Sequence, residues 1–332
     1  MTTVDVLDPA TDPEPPDWAN FVAVQQLYAP WDYGLMAIES AAGENPVLLA
    51  VVRRDGVLVA AVAALVARRG RSPRWIEVSH QWLSGEPGFV FAGGLDLVAR
   101  KEILRAAERA LCRHVGRTCL GLVYWHLAPP DVPLVAGFGR YVRPSAGTAV
   151  LDNTFTSPRD WLASLSRNRR ASLRKLHRQV SEDPTLVLRF EAGRSDLDGA
   201  ELAGLLRAHR DKFTHHRHDS RNPVTAEYLT ALVARPDVRT MTYHDADGRL
   251  LAFSNLLDHP AHLFSQHFAA VPAEQGGRGH LYFDLYPRLV ELMVERGAKT
   301  LSVGRGMAEV KTRLGFEIRP LHLAVVPRLV AG

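Results

Sequence analysis

The amino-acid sequence predicts a two-domain α/β (α+β) protein in which mixed central sheets are flanked by helices. Its length of 332 residues is typical of a chain with about two domains. Both halves show the same order of predicted elements: a hairpin on an Asp-Gly turn, a strand, a helix, a strand, a Gly-Phe pair and a closing strand. Hydrophobic residues make up 46% and charged residues 23%, a composition typical of globular domains with a sizeable core.

The first half begins with two apolar runs in PVLLAVVRRDGVLVAAVAALVARRG, which flank Arg-Asp-Gly and predict a β-hairpin. In LDLVARKEILRAAERALCRHVG, apolar residues recur near the helical period, with charges between them: Leu97, Ile103, Leu104, Ala107 and Leu111. CLGLVYWHL predicts the next strand, and GFGRYV and GTAVLDN follow it. We expect residues 18–155 to form one domain. Residues 1–17 are acidic and rich in proline and are expected to be a flexible lead-in.

The second half repeats this order. VRTMTYHDADGRLLAFSNLLD predicts a hairpin around Asp-Ala-Asp-Gly, and HLFSQHFAAV predicts a further strand. A glycine-rich turn, EQGGRGH, then leads into the predicted helix FDLYPRLVELMVERG. The strand KTLSVGRG, the short helix MAEVKTRLG and the closing strand of GFEIRPLHLAVVPR complete the series. We expect residues 185–332 to form a second domain that matches the first in element order, with little residue identity.

Between the two predicted domains, WLASLSRNRRASLRKLHRQVSEDP predicts a basic connecting helix over residues 156–184, ending near Pro184. Its apolar residues fall on one helical face, and no acidic residue occurs from Ser164 to Val180. A solvated face packed on the seam between domains would show this pattern, and so would a surface that binds an acceptor or a polyanion. The binding hypothesis singles out four cations: Arg167, Arg170, Arg174 and Lys175.

Bulk properties limit the class of protein. The formal net charge of +4 is too small to indicate nucleic-acid binding by itself. With only Cys112 and Cys119, a disulfide framework is excluded, and a reducing cytoplasm is the expected location. The acidic, proline-rich start is unlike a signal peptide, and no apolar run approaches the roughly 18 residues of a membrane span.

The stretch VPAEQGGRGH, between a predicted strand and a predicted helix, resembles the donor loop of the GNAT superfamily of acyl-CoA N-acyltransferases. Three features resemble a branch with two tandem GNAT-like domains, which contains Fem-type aminoacyl transferases and many bacterial BioF2-like (Acetyltransf_6) proteins. These are the basic helix, the segment GRGHLYFDLYPRLVELMVERGAKTLSVGRG, and EVKTRLGF. The resemblance spans roughly residues 45–328 and implies the tandem GNAT fold.

The resemblance implies that backbone amides of the glycine-rich turn and the following helix bind phosphate, because glycines let the main chain approach an anion. The ligand would be acyl-CoA or a phosphopantetheine-linked acyl donor, used as a co-substrate. A glycine-rich surface turn without a ligand is the alternative. The expected donor-binding residues are Gln275, Gly276, Gly277, Arg278, Gly279 and His280.

Three residues are candidates for catalysis. Lys311 stands four residues before the glycine of Gly-Phe, where many GNAT enzymes have a tyrosine that protonates the leaving thiol and the Fem-like branch has lysine. His267 lies on the strand before the loop, and imidazole suits accepting a proton near neutral pH. Glu309 lies two residues before Lys311. A solvated lysine and a structural histidine remain the alternatives for the first two.

The segment AHRDKFTHHRHDSRNP is rich in histidine, and we expect it to line the acceptor site through His215 and His216. No cysteine accompanies these histidines, so we expect no metal.

Together, these features predict an N-acyltransferase that moves an acyl group from a thioester donor, acyl-CoA or acyl carrier protein, to a small-molecule or peptide amine. The first alternative is a Fem-like aminoacyl transferase that uses aminoacyl-tRNA and forms a peptide bond. The second is a non-catalytic ligand-binding protein with a degenerate GNAT loop.

Overall fold

The computed structural model describes residues 1–43, 45–67, 74–80, 85–211 and 223–332. The chain folds into two compact units. Of the described residues, the first unit holds 1–147, 223 and 319–332, and the second unit holds 148–211 and 224–318. Neither unit is therefore one continuous stretch of sequence.

The described strands are, in chain order, β1 (Thr2–Leu7), β2 (Val47–Arg54), β3 (Val57–Ala67), β4 (Arg74–Val78), β5 (Phe89–Phe91), β6 (Cys119–Leu127), β7 (Tyr141–Asp152), β8 (Leu186–Ala192), β9 (Val238–Asp245), β10 (Leu250–Asp258), β11 (His262–Ala270), β12 (Thr300–Ser302) and β13 (Glu317–Pro327). The described α-helices are α1 (Trp18–Val24), α2 (Tyr33–Ala41), α3 (Leu97–Val115), α4 (Val132–Val135), α5 (Pro158–Ser164), α6 (Arg167–Ser181), α7 (Gly199–Asp211), α8 (Ala226–Val233), α9 (Leu281–Arg296) and α10 (Ala308–Thr312).

In the first unit the strands pair in the order β1-β2-β3-β4-β6-β13, and β5 also pairs with β3. Only β4 and β6 run parallel among these described pairs. Residues 2–7, which were expected to belong to a flexible lead-in, instead form β1, paired with β2 from Thr2↔Arg54 to Leu7↔Leu49. The reason is local alternation: Val4 and Val6 pack on the core, while Asp5 accepts from Arg53 at 2.7 Å.

In the second unit the order is β7-β12-β11-β10-β9-β8. Here β11 and β12 form the parallel pair, and the other described pairs are antiparallel. The predicted α/β (α+β) class, with mixed sheets and flanking helices in each half, is confirmed.

Each sheet also contains a strand from the other half of the sequence. β13 follows the helices of the second unit, yet its residues 319–327 belong to the first unit and pair with β6, from His322↔Leu127 to Pro327↔Gly121. Conversely, residues 148–152 of β7 belong to the second unit, and residues 150–152 pair with β12. Element order does not predict this exchange, because it depends on pairing between residues far apart in sequence.

The predicted connecting helix is two helices rather than one. α5 ends at Ser164, Leu165 is extended (φ −79°, ψ 155°), and the Ser166 hydroxyl then accepts from the amide of Arg169 to begin α6. Trp161, Leu173 and Val180 are buried in the second unit's core. The serine at the break explains the restart, because its side chain caps a new helix more readily than it continues the old one.

Helix α9 is held by the same core, through Leu285, Leu289, Val290 and Met293. These residues recur at helical spacing, so one face of α9 lies against apolar residues of the sheet such as Met241. This packing fixes the first turn of α9 at the end of β11.

Candidate active site

The candidate site begins where β11 and β12 separate. The two strands pair only over His262↔Thr300, Leu263↔Leu301 and Phe264↔Ser302, and residues 265–270 of β11 continue without a partner on β12. Because the strands are parallel, their carboxyl ends lie at the same edge of the sheet. Ligands bind at such edges in open α/β sheets, so we expect a ligand-binding site at the loops that follow β11 and β12.

A β-bulge in β11 brings polar side chains into this region. The pairing with β10 shifts between Leu256↔Ser265 and Ser254↔Phe268, so Asn255 lies opposite two residues, Gln266 and His267. The Gln266 amide and the Oδ1 of Asn255 are buried and have no hydrogen-bond partner among the described residues. A buried amide without a partner costs folding free energy, and in native structures it often marks a binding site. Sequence reasoning missed both residues.

His267 is 2% exposed, beside this bulge. Arg210 of α7 donates to its Nδ1 at 3.5 Å, and Tyr228 of α8 packs edge-on with ring centroids 6.0 Å apart. The backbone carbonyl of His267 also accepts from the Ser254 hydroxyl at 2.8 Å. The ring is therefore held in one position within the diverging part of β11.

The turn after β11 uses two of its glycines to close on itself. The amide of Gly276 donates to Ala273 O at 3.1 Å, and that of Gly277 donates to Pro272 O at 2.9 Å. Gly276 has a φ of +85°, and a Cβ on Gly277 would lie 1.9 Å from Val271 O, so glycine is needed at both positions. These two amides serve the turn and are not available to an anion.

The amides that follow are available. The backbone amides of residues 278–282 donate to no backbone acceptor in the described chain, and Arg278, Gly279 and His280 are exposed. His280, the residue before α9, has a left-handed backbone (φ 74°) and provides no side-chain cap. Free amides at the positive end of a helix dipole bind phosphate well, so these residues fit a phosphate group.

The first unit lacks this feature at its corresponding helix. The N-terminus of α3 is capped by Asp96, whose carboxylate accepts from Ala99 N at 2.7 Å. This carboxylate already accepts from one of the amides at the N-terminus of α3, and its charge repels a second anion. Of the two corresponding helix N-termini, only that of α9 is open to phosphate.

Arg278 points toward the start of β8. Its guanidinium donates to the Thr185 hydroxyl at 3.3 Å and lies 3.9 Å from the Asp183 carboxylate. A cavity of about 220 Å³ opens here, lined by Leu176, Gln179, Val180, Asp183, Leu186, Arg278, Gly279 and His280. The predicted donor loop therefore has a cavity beside it, and the other wall of this cavity belongs to α6.

Lys311 lies on α10, and its ammonium group reaches the residues that directly follow β12. Its side chain is 4% exposed, and its Nζ donates to Val303 O and, at 3.1 Å, to Gly304 O. No carboxylate pairs with it among the described residues, and burial lowers the pKa of Lys311 to about 8. A buried ammonium without a counter-ion is costly, and such groups cluster at functional sites.

Asp284, in the first turn of α9, is fully buried and holds three elements together. Its carboxylate accepts from His177 Nδ1 of α6 at 2.6 Å, from Tyr243 OH of β9 at 2.9 Å and from Arg288 Nε at 2.7 Å. Burial would raise the pKa of Asp284, but these hydrogen bonds outweigh it and hold the pKa below its usual value. The cluster fixes the helix turn that follows the free amides.

Comparison with known proteins agrees with this geometry. Residues 167–312 match the Acetyltransf_6 family of acetyltransferase (GNAT) domains. Most of these residues lie in the second unit, which is therefore the part of the chain that is similar to a GNAT domain. The resemblance read from the motifs is confirmed.

Solved structures show that the tandem GNAT fold extends over the whole chain. A tandem GNAT protein from the clavulanic acid biosynthesis pathway is 16% identical with a TM-score of 0.57, covering 99% of both chains. L-PGS from Bacillus licheniformis is 15% identical (TM-score 0.59; 95% of this chain, 92% of that one), and FemX is 11% identical (0.60; 93% and 96%). Identities this low establish shared fold alone. No curated protein is similar enough in sequence to count as a match.

The other predicted residues lie on α10, on α6 or outside the described part of the chain. Glu309 is exposed on α10. His215 and His216 lie outside the described residues. Arg167, Arg170, Arg174 and Lys175 lie on α6, in the same unit as the GNAT loop.

Within the ranges described, no three residues among His, Cys, Asp and Glu are arranged to hold a metal ion. Among the same residues, none of the helices has the length and hydrophobicity needed to cross a bilayer.

Proposed function

We propose that this protein is an N-acyltransferase whose second unit transfers an acyl group from a phosphopantetheine thioester, on CoA or on a carrier protein, to a small-molecule or peptide amine. The observation that carries the proposal is the open N-terminus of α9 at the same sheet edge as Lys311. The GNAT match supports a transferase. The two buried, free thiols, Cys112 and Cys119, support a cytoplasmic protein.

In the proposed reaction, the amine nitrogen attacks the thioester carbonyl, a C–N bond forms and the C–S bond breaks. The amine gives up one proton, for which His267 is the proposed acceptor, and the leaving thiolate gains one proton, for which Lys311 is the proposed donor. Amides of residues 278–282 bind the phosphate of the donor arm. Asn255 and Gln266, with buried amide atoms that lack partners, suit the amide groups of the pantetheine chain.

A pair of substitutions at Gly279 tests the donor site. A Cβ at this position meets no atom within 4 Å, so the first side-chain atom of either substitution has open space. Gly279→Asp brings a carboxylate to the free amides, and we expect CoA binding measured by calorimetry to weaken at least tenfold, whereas Gly279→Asn, of equal size and no charge, binds near normally. Equal CoA affinity in the two variants would refute the phosphate site.

A second candidate is an aminoacyl-tRNA-dependent transferase, favoured by the density of cations on α6. Measuring donor binding against salt concentration separates tRNA from CoA, because neutralising the many phosphates of tRNA gives a steep slope and the few phosphates of CoA give a shallow one. Intact-mass screening of amines with acyl-CoA and charged tRNA then identifies turnover. Tight donor binding with no product from any amine would favour a ligand-binding protein.

A further inference from the structure

The cavity of about 220 Å³ beside the donor loop offers more room than a phosphate group needs. Residues 278–280 of the loop line it together with Leu176, Gln179 and Val180 of α6. These α6 residues share one face of the helix, because they are three or four residues apart. Pockets for drug-sized ligands usually enclose about 300–1,000 Å³. This smaller cavity therefore has the size for one ring system bound next to a phosphate.

The walls of this cavity suit a flat heterocycle. Leu176 and Leu186 are half-buried and Val180 is buried, so their aliphatic side chains give the cavity an apolar surface. The exposed loop residues Arg278 and His280 add two planar groups, a guanidinium and an imidazole. Proteins bind unpaired nucleobases by stacking them on such planes and packing them against apolar side chains. The lining of this cavity contains both kinds of surface.

Two polar side chains of the lining indicate which base would bind. The Oδ1 of Asp183 accepts from the amide of Thr185 at 2.9 Å and from its hydroxyl at 2.6 Å. The Oδ2 accepts no hydrogen bond in the described chain and lies 3.9 Å from Arg278 Nε. Gln179 is exposed and provides an amide, the usual partner of the adenine N6 and N7 atoms. A free carboxylate oxygen accepts from an exocyclic amino group, so the pair favours adenine.

Adenine next to a phosphate occurs in CoA and at the 3′ end of tRNA, and the position of the cavity favours CoA. Thr312 and Arg313, which directly follow Lys311, line a second cavity of about 570 Å³ together with Arg169 of α6. Along α6, Arg169 and Val180 are roughly 16 Å apart. In CoA the pantetheine arm separates adenosine from the thioester, whereas aminoacyl-tRNA carries its acyl ester on the terminal adenosine. A base held far from the segment of Lys311 therefore suits CoA.

We infer that the cavity beside the donor loop is an adenine pocket, and that the acyl donor is acyl-CoA, bound through its adenine as well as its pyrophosphate. The inference rests on the proposed acyltransferase function and names the donor within it. Asp183 Oδ2 accepts from the adenine amino group, Gln179 bonds the edge of the ring, and Leu176 packs on its face. A carrier protein presents phosphopantetheine without a base and would leave this pocket unfilled.

Calorimetric binding of three probes tests the inference: CoA, 4′-phosphopantetheine, and the analogue of CoA in which hypoxanthine replaces adenine. We expect CoA to bind at least tenfold more tightly than either of the others, because phosphopantetheine lacks the base and hypoxanthine presents a carbonyl oxygen to the Asp183 carboxylate. Asp183→Asn retains an oxygen for Thr185 and places an amide donor where Oδ2 was. The preference for adenine over hypoxanthine should then fall below about threefold.

Two matched controls accompany these measurements. Asp247→Asn makes the same substitution at an exposed site away from the cavity and should leave the preference for adenine unchanged. Leu176→Ala removes part of the apolar wall and should weaken CoA at least fivefold relative to phosphopantetheine. Leu162→Ala, at a half-buried leucine that does not line the cavity, should leave that ratio unchanged.

The outcomes separate the inference from the function on which it rests. If CoA and phosphopantetheine bind equally and Gly279→Asp weakens both, the adenine pocket is wrong and the acyltransferase proposal stands. Equal affinity of the wild-type protein for CoA and its hypoxanthine analogue would also overturn the adenine pocket. Tighter binding of bulk tRNA than of CoA, weakened by Asp183→Asn, would assign the pocket to the terminal adenosine of tRNA instead. If neither CoA nor phosphopantetheine binds, both proposals are refuted.

Discussion

At the scale of single residues, Lys311 combines features that rarely occur together. Its ammonium group is buried, bonded to two main-chain carbonyls, and has no described carboxylate partner. Desolvation therefore determines its protonation, and the pKa falls from 10.5 to about 8. A group that titrates just above neutral pH is well suited to donate a proton to a leaving thiolate.

We expect turnover to fall as pH rises through about 8, because the proton that Lys311 donates is then lost. Lys311→Met should reduce turnover at least a hundredfold at pH 7 and remove this limb of the pH–rate profile. Lys299→Met, at an exposed lysine, serves as the control. A rate that rises through pH 8 in the wild-type enzyme would show that Lys311 acts as a base instead.

The Gln266 amide is buried without a described partner, so we expect its replacement by an apolar side chain to raise stability and lower turnover. Gln266→Leu removes the unsatisfied atoms and should raise the free energy of unfolding by about 1 kcal/mol, while turnover falls at least tenfold. Chemical denaturation and steady-state kinetics measure the two effects. Asn153→Leu is the contrast, since that amide donates to Ala298 O at 2.8 Å and its loss should destabilise. Lower stability in Gln266→Leu would mean that the amide is satisfied in the folded protein.

At the scale of elements, the donor loop divides its glycines into two kinds. A Cβ on Gly277 collides with Val271 O at 1.9 Å, whereas a Cβ on Gly279 meets nothing within 4 Å. Gly277→Ala should therefore open the turn, lower the free energy of unfolding by about 1–3 kcal/mol and weaken donor binding. Gly279→Ala should leave both the stability and donor binding unchanged. Thermal unfolding and calorimetric binding of CoA distinguish them. Equal stability and equal CoA affinity in Gly277→Ala and Gly279→Ala would contradict the turn geometry.

The Asp284 cluster joins α6, β9 and α9 behind the loop. Asp284→Asn leaves the half-buried Arg288 without its counter-charge, so we expect a loss of about 3 kcal/mol in the free energy of unfolding at pH 7. The folded pKa of Asp284 lies below the usual 3.8, so its contribution is complete above pH 3.8 and is lost as pH falls through the lower folded value.

Denaturation curves at pH 7 and between pH 2 and about 4 measure the contribution of Asp284. In Asp284→Asn, the free energy of unfolding should depend less on pH in the acid range than it does in the wild-type protein. Asp247→Asn, at an exposed carboxylate, is the control. If Asp284→Asn unfolded at the same denaturant concentration as wild type, the carboxylate would contribute no net stability.

At the scale of the whole molecule, the C-terminal strand belongs to the first unit. Ala324 and Val326 are fully buried in that unit's core, and β13 pairs with β6. Deleting residues 319–332 should therefore expose β6, and its amides should lose most of their protection from hydrogen exchange. Leu329→Ser, at a residue 98% exposed, should leave protection unchanged. Full protection of β6 in the truncated chain would contradict the observed pairing.

Much of this fold follows from local pattern. The Asp-Gly hairpins, the amphipathic helices α3 and α9 and the glycine turn each depend on residues that are neighbours in sequence. The break between α5 and α6 was missed because the apolar period continues through Leu165, and only the serine cap interrupts the helix. The lead-in was misread because prolines follow a segment whose six residues alternate like a strand.

The site was only partly predictable, for a physical reason. Lys311 and the loop stood out because motif spacing identifies them, but Gln266 and Asn255 are ordinary amides until a bulge buries them without partners. The link between His177 and Asp284 joins residues far apart in the chain.

By itself, the sequence determined the order of elements, the glycine turn between β11 and α9, and the cationic composition of α6, because short-range sterics and periodicity decide these. Only the tertiary structure decided which sheet β7 and β13 complete, which loop amides remain free, and which helix N-terminus is open to an anion. These depend on hydrogen-bond partners and on burial, and a residue acquires both only when distant parts of the chain come together.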